Sequence, residues 1–340
     1  FAQGKEWYAQ NFESSDTCTQ LIPDLETSDG RKEAVYTRTL NIDLEQTDAF
    51  CRENGIYKNN LFTTAYALLM ARYNNEQEAF FPTAYNGRGD KRLANTVGMF
   101  VRPIPVQIRF DNDTTTMELL LKNQQMMSGC RKHEAYSFVD FMQDIGPSYN
   151  TMFGWHGMLF EKDTIGGHPM GVRWLVNSTL GVSLYVRGSI EQGRCHMTAE
   201  YNANEYSEAI IAQLLESYEA VVNGLISQKY LRDICITTTG QIGLLDSFNL
   251  TDKTYDESQT IVSLFHRQAQ ETPDNVAVVY KDKAYTYRQV DDLSNRIAAY
   301  VAQRGLGRED VVSILIARSE WMVIAPLGVL KAGCAYQPLD

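Results

Sequence analysis

Residues 311–340 constrain the fold more than any other part of this sequence. Val311 to Ile316 is an apolar run broken only by Ser313, close to the pattern of a parallel strand buried on both faces. Val323, Ile324, Leu327 and Leu330 then recur at helical spacing through a run that opens at Ser319. The stretch from Leu330 to Asp340 starts another strand. Strand, helix and strand in this order predict a parallel α/β sheet, because parallel neighbours need a crossover between them. That sheet has no room to continue before Asp340, and Phe1 is not Met. The chain is therefore expected to be part of a longer polypeptide.

A length of 340 residues allows about two or three domains. The formal charge of -11 is uneven: residues 260–340 hold nine basic and nine acidic side chains, so the acidic excess lies before them. No basic stripe is present, which argues against nucleic acid or an anionic membrane surface as partner. No long uninterrupted apolar run occurs that would predict a membrane span. Cysteines stand at 18, 51, 130, 195, 235 and 334, with no Cys-x-x-Cys pair. That spacing is neither a zinc nor a disulfide framework, and reduced thiols in a cytoplasmic protein are expected.

Three regions separate. Residues 1–230 mix helical and strand patterns, residues 231–259 are turn-rich and read as a linker, and residues 260–340 are regular α/β. In the first region, helices are expected at 44–54, 61–73, 117–130 and 137–145, and strands at 79–85, 152–160 and 172–176. Residues 102–110 alternate around two prolines and suit an edge or bent strand. Residues 182–190 and 195–201 flank Glu-Gln-Gly-Arg and predict a hairpin, with Gly193 free to take positive φ. Ile210, Ile211, Leu214, Leu215, Tyr218, Val221, Val222 and Leu225 predict the strongest helix, with Ser207 as its N-cap. The sum is an α+β sandwich of antiparallel strands with helices on one face. In the last region, a helix over 261–270 precedes a hairpin around Lys281-Asp282-Lys283. Val290 to Val301 then line a helix that Gly305 ends.

Taken by themselves, the residues show no catalytic constellation. The five histidines (133, 156, 168, 196 and 266) are isolated in sequence, and no metalloprotease, serine-hydrolase or P-loop motif is present. His133, Tyr136 and Phe138 form a polar-aromatic group that reads as a packed corner. His156 and His168 read as structural, and His196 alternates within a strand. Asn86-Gly87-Arg88 reads as a turn with a surface arginine. Gly305-Leu-Gly307 lies between helix and strand, the reverse of dinucleotide-loop order, and reads as a helix stop.

Motif by motif, the chain resembles a nonribosomal peptide synthetase, read across the junction from a condensation domain into an amino-acid adenylation domain. Leu330-Lys331-Ala332-Gly333-Cys334-Ala335-Tyr336-Gln337-Pro338-Leu339-Asp340 resembles the second core motif of adenylation domains. Tyr285-Thr286-Tyr287-Arg288-Gln289-Val290 resembles the first. Gly87-Arg88, followed by Val97-Gly98-Met99-Phe100-Val101, resembles two successive motifs of the condensation C-terminal lobe, with Arg102-Pro103 where the family continues Asn-Thr. His133-Glu134-Ala135-Tyr136-Ser137-Phe138 resembles the next, with Ser137 in place of Pro. Asn150-Thr151-Met152-Phe153 stands where the family has Asn-Pro-Leu-Phe, and Ala199-Glu200-Tyr201-Asn202 resembles the end of the lobe. The departures point to a divergent acceptor specificity or a weakly active domain.

The resemblance implies a chloramphenicol-acetyltransferase-like α/β sandwich lobe over 1–230, a linker, and the truncated start of an acyl-adenylate-synthetase-type α/β subdomain over 260–340. It implies no catalytic residue here: the family's His-His-x-x-x-Asp-Gly motif would lie upstream of Phe1, and the adenylation phosphate loop and catalytic Lys beyond Asp340. The parent would use phosphopantetheine on carrier domains, with ATP and Mg2+ at a complete adenylation domain, and the carriers and the remaining synthetase regions would be its partners. The fragment itself would bind no cofactor or metal and would be inactive. A non-catalytic docking scaffold, or an acyl-CoA-dependent acyltransferase of the same superfamily, are the other readings.

Overall fold

The computed structural model describes residues 1–14, 18–26, 30–88, 91–93, 95–158, 164–169 and 181–339. The chain divides into two compact units, Phe1–Asn249 and Leu250–Asp340.

The first unit opens with a helix that the sequence pattern does not announce, α1 (Ala2–Asn11), and a strand, β1 (Glu33–Thr39). Helices α2 (Leu44–Asn54) and α3 (Lys58–Tyr73) follow, then strands β2 (Glu78–Tyr85) and β3 (Arg102–Arg109). Next come α4 (Thr116–Lys132), α5 (Phe138–Asp144) and β4 (Thr151–Gly157). A small two-strand pair, β5 (Thr164–Ile165) with β6 (His168–Pro169), precedes the hairpin β7 (Leu184–Glu191) and β8 (Arg194–Asn202). The strand expected at 172–176 lies outside the described residues. Helices α6 (Glu208–Ser227) and α7 (Thr239–Phe248) close the unit.

Local chemistry accounts for most boundaries. Asp43 accepts backbone N–H bonds from Glu45 and Gln46 to start α2, and Ser207 accepts from Ile210 to start α6. Thr115 with Glu118 forms a capping box for α4. Between β7 and β8, Gln192 and Gly193 both take positive φ, so a two-residue turn joins Glu191 to Arg194.

Six strands form one sheet in the order β1-β8-β7-β4-β2-β3. β3 is an edge, as its prolines require. The antiparallel expectation needs correction: β4 pairs parallel with both β2 and β7, so the sheet is mixed. On one face lie α3 and α6. Residues 60–71 of α3 are all buried, and the polar ones among them are bonded: Asn60 donates to the Leu120 carbonyl at 2.8 Å, and Asn123 donates to Thr64 at 2.7 Å. Helix α6 is long and apolar enough to cross a membrane by composition alone. Here its apolar side (Leu214, Tyr218, Val221, Val222) is the fully buried centre of the core. The opposite sheet face is covered over β2 and β3 by a second cluster built from α1, α4 and α5 around Phe80 and Phe141.

The stretch read as a linker straddles the division between units. Leu231 and Ile234 are buried in the first core, and α7 belongs to the first unit.

The second unit contains α8 (Ile261–Glu271), the hairpin β9 (Val276–Tyr280) and β10 (Lys283–Thr286), α9 (Tyr287–Gln303), β11 (Val311–Leu315), α10 (Trp321–Lys331) and β12 (Ala335–Leu339). β11 and β12 pair in parallel, as residues 311–340 predicted. The core is small: Val290, Ile324 and Leu327 form one cluster, and Val301, Val329 and Cys334 another.

Candidate functional site

The condensation-type motif residues form two structural knots, not a reactive centre. In the first, the Arg88 guanidinium donates to the carbonyls of Leu93, Thr96 and Gly98 at 2.5, 2.8 and 3.2 Å. It also lies 4.6 Å from the Phe100 ring centroid, a cation–π distance. Gly87 takes φ +65, and a Cβ there would sit 1.9 Å from the Phe100 carbonyl oxygen. Gly87, Arg88, Gly98 and Phe100 thus tie the chain after β2 to the chain before β3. The arginine expected at the surface of a turn is a clamp on backbone carbonyls.

In the second knot, His133 stacks on Trp7 of α1, with centroids 5.0 Å apart. Trp7 lies against Gly129, where any Cβ would overlap its ring. Tyr136 is buried and donates from Oη to Asp144 Oδ2 at 2.5 Å, while Lys5 pairs with that carboxylate at 2.8 Å. Burial and the neighbouring Asp144 push the Tyr136 hydroxyl well above its ordinary range. Phe138 packs beside Phe141 and Tyr149. The packed corner expected for these residues is found, with α1 as the element it grips.

Adenylation-type motif residues are also architectural. Thr286 and Gln289 form the capping box that starts α9. Tyr285 donates to Glu320 at 3.0 Å, and the Tyr287 backbone N–H donates to the Asn275 carbonyl. Lys331 reaches Asp291 at 2.7 Å and Asn295 at 2.8 Å, with the two charged side chains only 7% and 17% exposed. Leu330 lines a groove, Ala332 caps α10, and Gly333 turns at φ +83 into β12, where Tyr336 and Pro338 pair opposite Val312 and Ile314. Asp340 lies outside the described residues.

Sequence reasoning missed the most chemically dense group. Over β4, β7 and β8, among the described residues, no helix lies on the face opposite α3 and α6. Alternation places His156, Tyr185, Arg187 and Glu200 on that face, because Phe153, Val186 and Ala199 fill the helix side. Arg187 pairs with Glu200 at 3.1 Å, with side chains 8% and 6% exposed. His156 Nε2 lies 3.3 Å from Tyr185 Oη. Burial, with the Arg187 charge second, pushes the His156 imidazole below its ordinary value. Burial pushes the Tyr185 hydroxyl up to about 12. Burial also raises the Glu200 carboxyl, against the pull of Arg187. The missed signal was the alternation itself: Tyr185 and Arg187 occupy every second position of β7, in register with Glu200 and Thr198 of β8. Among the described residues, no group of His, Cys, Asp and Glu is arranged to hold a metal ion.

Comparison with known proteins follows this division. A family model described as "Condensation domain" matches residues 1–233, and one described as "AMP-binding enzyme" matches residues 265–340. The chain is 27% identical over 334 residues to gramicidin S synthase 2 of Brevibacillus brevis, covering 94% of this chain and 7% of that protein. It is 25% identical over 363 residues to tyrocidine synthase 2 of Brevibacillus parabrevis, covering 100% and 10%. The chain thus spans a tenth or less of the length of these relatives. Among solved structures, a four-domain nonribosomal peptide synthetase bound to AMP and glycine aligns with a TM-score of 0.78 at 19% identity, over 99% of this chain and 28% of that one. The first condensation domain of the CDA synthetase aligns at 0.54 and 14%, over 69% and 52%. These structural likenesses establish the fold. The chain belongs to the condensation-domain family, carries an AMP-binding-type segment after that domain, and is part of a nonribosomal peptide synthetase module.

Proposed function

We propose that residues 1–230 form the C-terminal lobe of an amide-forming condensation domain and that residues 260–340 open the adenylation domain of the same module. The observation that carries this reading is the succession of the two family matches along one chain. An acyl-CoA acyltransferase accounts for the first match and leaves the second unexplained. In the parent reaction two carrier proteins present phosphopantetheine thioesters. The acceptor amine nitrogen bonds to the donor carbonyl carbon, the carbon–sulfur bond breaks, and the departing thiolate takes up the proton that the amine gives up. Such a reaction is governed by positioning, which supplies about 7–11 kcal/mol, against roughly 10²–10⁴-fold from a general base. This chain supplies one wall for that positioning. The motif residues Gly87, Arg88, Gly98, Phe100, His133, Tyr136 and Phe138 hold the wall in shape.

ATP and Mg2+ belong to a complete adenylation domain in this reading, and the described residues of the second unit offer no cradle for them. Gly305 turns at the end of α9, and the groove of about 520 Å³ in the second unit is lined by apolar side chains such as Phe265, Ile314, Met322 and Leu327. Six free thiols fit a cytoplasmic setting. The test is an amide-formation assay of the synthetase that carries this chain, with donor and acceptor thioesters on carriers. Dipeptidyl product supports the reading, whereas acyl transfer from acyl-CoA with no carrier-dependent product contradicts it.

A further inference from the structure

Three Asn-Gly pairs occur in the chain, at 54–55, 86–87 and 223–224. Such pairs carry a latent reaction. The glycine nitrogen, unhindered by a Cβ, can close on the asparagine side-chain carbonyl and expel ammonia, which is one reason asparagine is thermolabile. The fold decides which pair is free to react.

Helices hold back two of the three. Asn54 ends α2 and Asn223 lies inside α6. The Gly55 N–H donates to the Cys51 carbonyl, and the Gly224 N–H is committed to the ladder of its own helix. Their side-chain amide nitrogens are bonded as well, Asn54 to the Phe50 carbonyl at 2.9 Å and Asn223 to the Asn41 carbonyl at 3.4 Å.

Asn86 differs on each count. It is exposed in the turn after β2, and the Gly87 N–H meets no acceptor among the described residues. Its side-chain amide is bonded at the oxygen instead: the Arg88 backbone N–H donates to Asn86 Oδ1 at 3.0 Å. A donor on that oxygen stabilises the negative charge that develops there when the carbonyl is attacked. The surrounding charge acts in the same direction. Asn86 lines a cavity of about 400 Å³ with Arg88, Arg131 and Lys132, against one carboxylate, Glu134, among the described residues. A net positive setting favours both the deprotonated backbone nitrogen and the oxyanion.

We propose that Asn86 is a self-modification site whose conversion to isoaspartate releases the Arg88 clamp. The Gly87 nitrogen gives its proton to water and bonds to Asn86 Cγ. The bond from Cγ to Nδ2 breaks, and Nδ2 leaves as ammonia, taking up a proton. Water then opens the cyclic imide. When it breaks the bond between the Gly87 nitrogen and the Asn86 backbone carbonyl carbon, the chain runs on through Cβ and Cγ, one carbon longer, and a free carboxylate remains. Both changes act on the clamp. The extra carbon displaces Gly87 from its fitted place against the Phe100 carbonyl. The new carboxylate competes with the Leu93, Thr96 and Gly98 carbonyls for the guanidinium, and a charged acceptor is the stronger one. The inference stands apart from the condensation reading.

The experiment ages the complete synthetase that carries this chain in mildly alkaline buffer and digests it. The three Asn-Gly peptides are then read by mass spectrometry, with fragmentation that separates isoaspartate from aspartate. Asn86 is expected to convert about tenfold faster than Asn54 or Asn223, the size of the backbone hydrogen bond that must break first at Gly55 and Gly224. In the aged protein, hydrogen exchange should quicken at Thr96, whose N–H is bonded to the Leu93 carbonyl, and stay unchanged in α6. Conversion of Asn86 at or below the rate of Asn54 overturns the inference. So does conversion of Asn86 that leaves exchange at Thr96 as it is in fresh protein.

Discussion

Lys331 spans from the end of α10 to Asp291 and Asn295 on α9, in a motif where a lysine invites a catalytic reading. Its amino group is spent on helix packing. Replacing it with Met leaves Asp291 without its main partner, and a hydrogen-bonded charge of this kind contributes about 2 kcal/mol. Lys331→Met should lower the urea stability of the second unit by about that amount, with the first unit unchanged. The pH dependence is equally specific. Burial raises the Asp291 carboxyl, but the hydrogen bond and charge of Lys331, with Asn295 and His266, outweigh it and hold the group below its ordinary range. A depressed folded-state value means that the stabilisation is present above the unfolded value, near about 3.9, and lost as pH falls through the folded one. The gap between wild type and Lys331→Met should be full at neutral pH and close on strong acidification. Gly87 is the second residue with a sharp expectation. Its left-handed φ and the Phe100 carbonyl beneath it leave no place for a Cβ. Gly87→Ala carries a strain of about 1–2 kcal/mol before any clash, and should lower the melting temperature of the first unit. An unchanged melting temperature would show that the Arg88 clamp is dispensable.

At the scale of elements, legibility followed periodicity. The α6 pattern, the β7–β8 hairpin and the prolines of β3 each declare their place because one physical signal dominates each. Helix α7 is hard to read although Thr238 and Gln241 form a capping box before an apolar run; the turn-like residues on either side outweigh it. Strand β1 escapes notice because its outer side is open and it alternates weakly. The parallel pairing of β4 cannot be read from β4 itself, since pairing direction depends on strands far away in sequence. The polar face of β4, β7 and β8 was only half legible: alternation sets Tyr185 and Arg187 on one side of β7, but His156 and Glu200 join them only when three strands take their register. Elements also differ in how well they are held. β11 leaves Val311 and Leu315 61% and 71% exposed, and its sheet has two strands. A pair that small is marginal in water. Amide exchange in β11 and β12 should be faster than in α3, buried throughout residues 60–71, and α6, whose apolar side is buried. Equal protection in the two sets would contradict the burial pattern.

For the whole molecule, the two units have separate cores and carry matches to two different enzyme families. The described residues supply neither a histidine pair for condensation nor a phosphate cradle for adenylation. Purified 1–340 is therefore expected to show no amino-acid-dependent ATP–pyrophosphate exchange above background. In the proposed reading, what the chain contributes is a shaped wall. Amide formation in the complete synthetase, followed by mass spectrometry with carrier-bound donor and acceptor thioesters and with acyl-CoA as the competing donor, tests that reading most directly. Product that appears only from the carrier-bound donor is the predicted result. Acyl transfer from acyl-CoA, or no amide while both carriers are loaded, would contradict it.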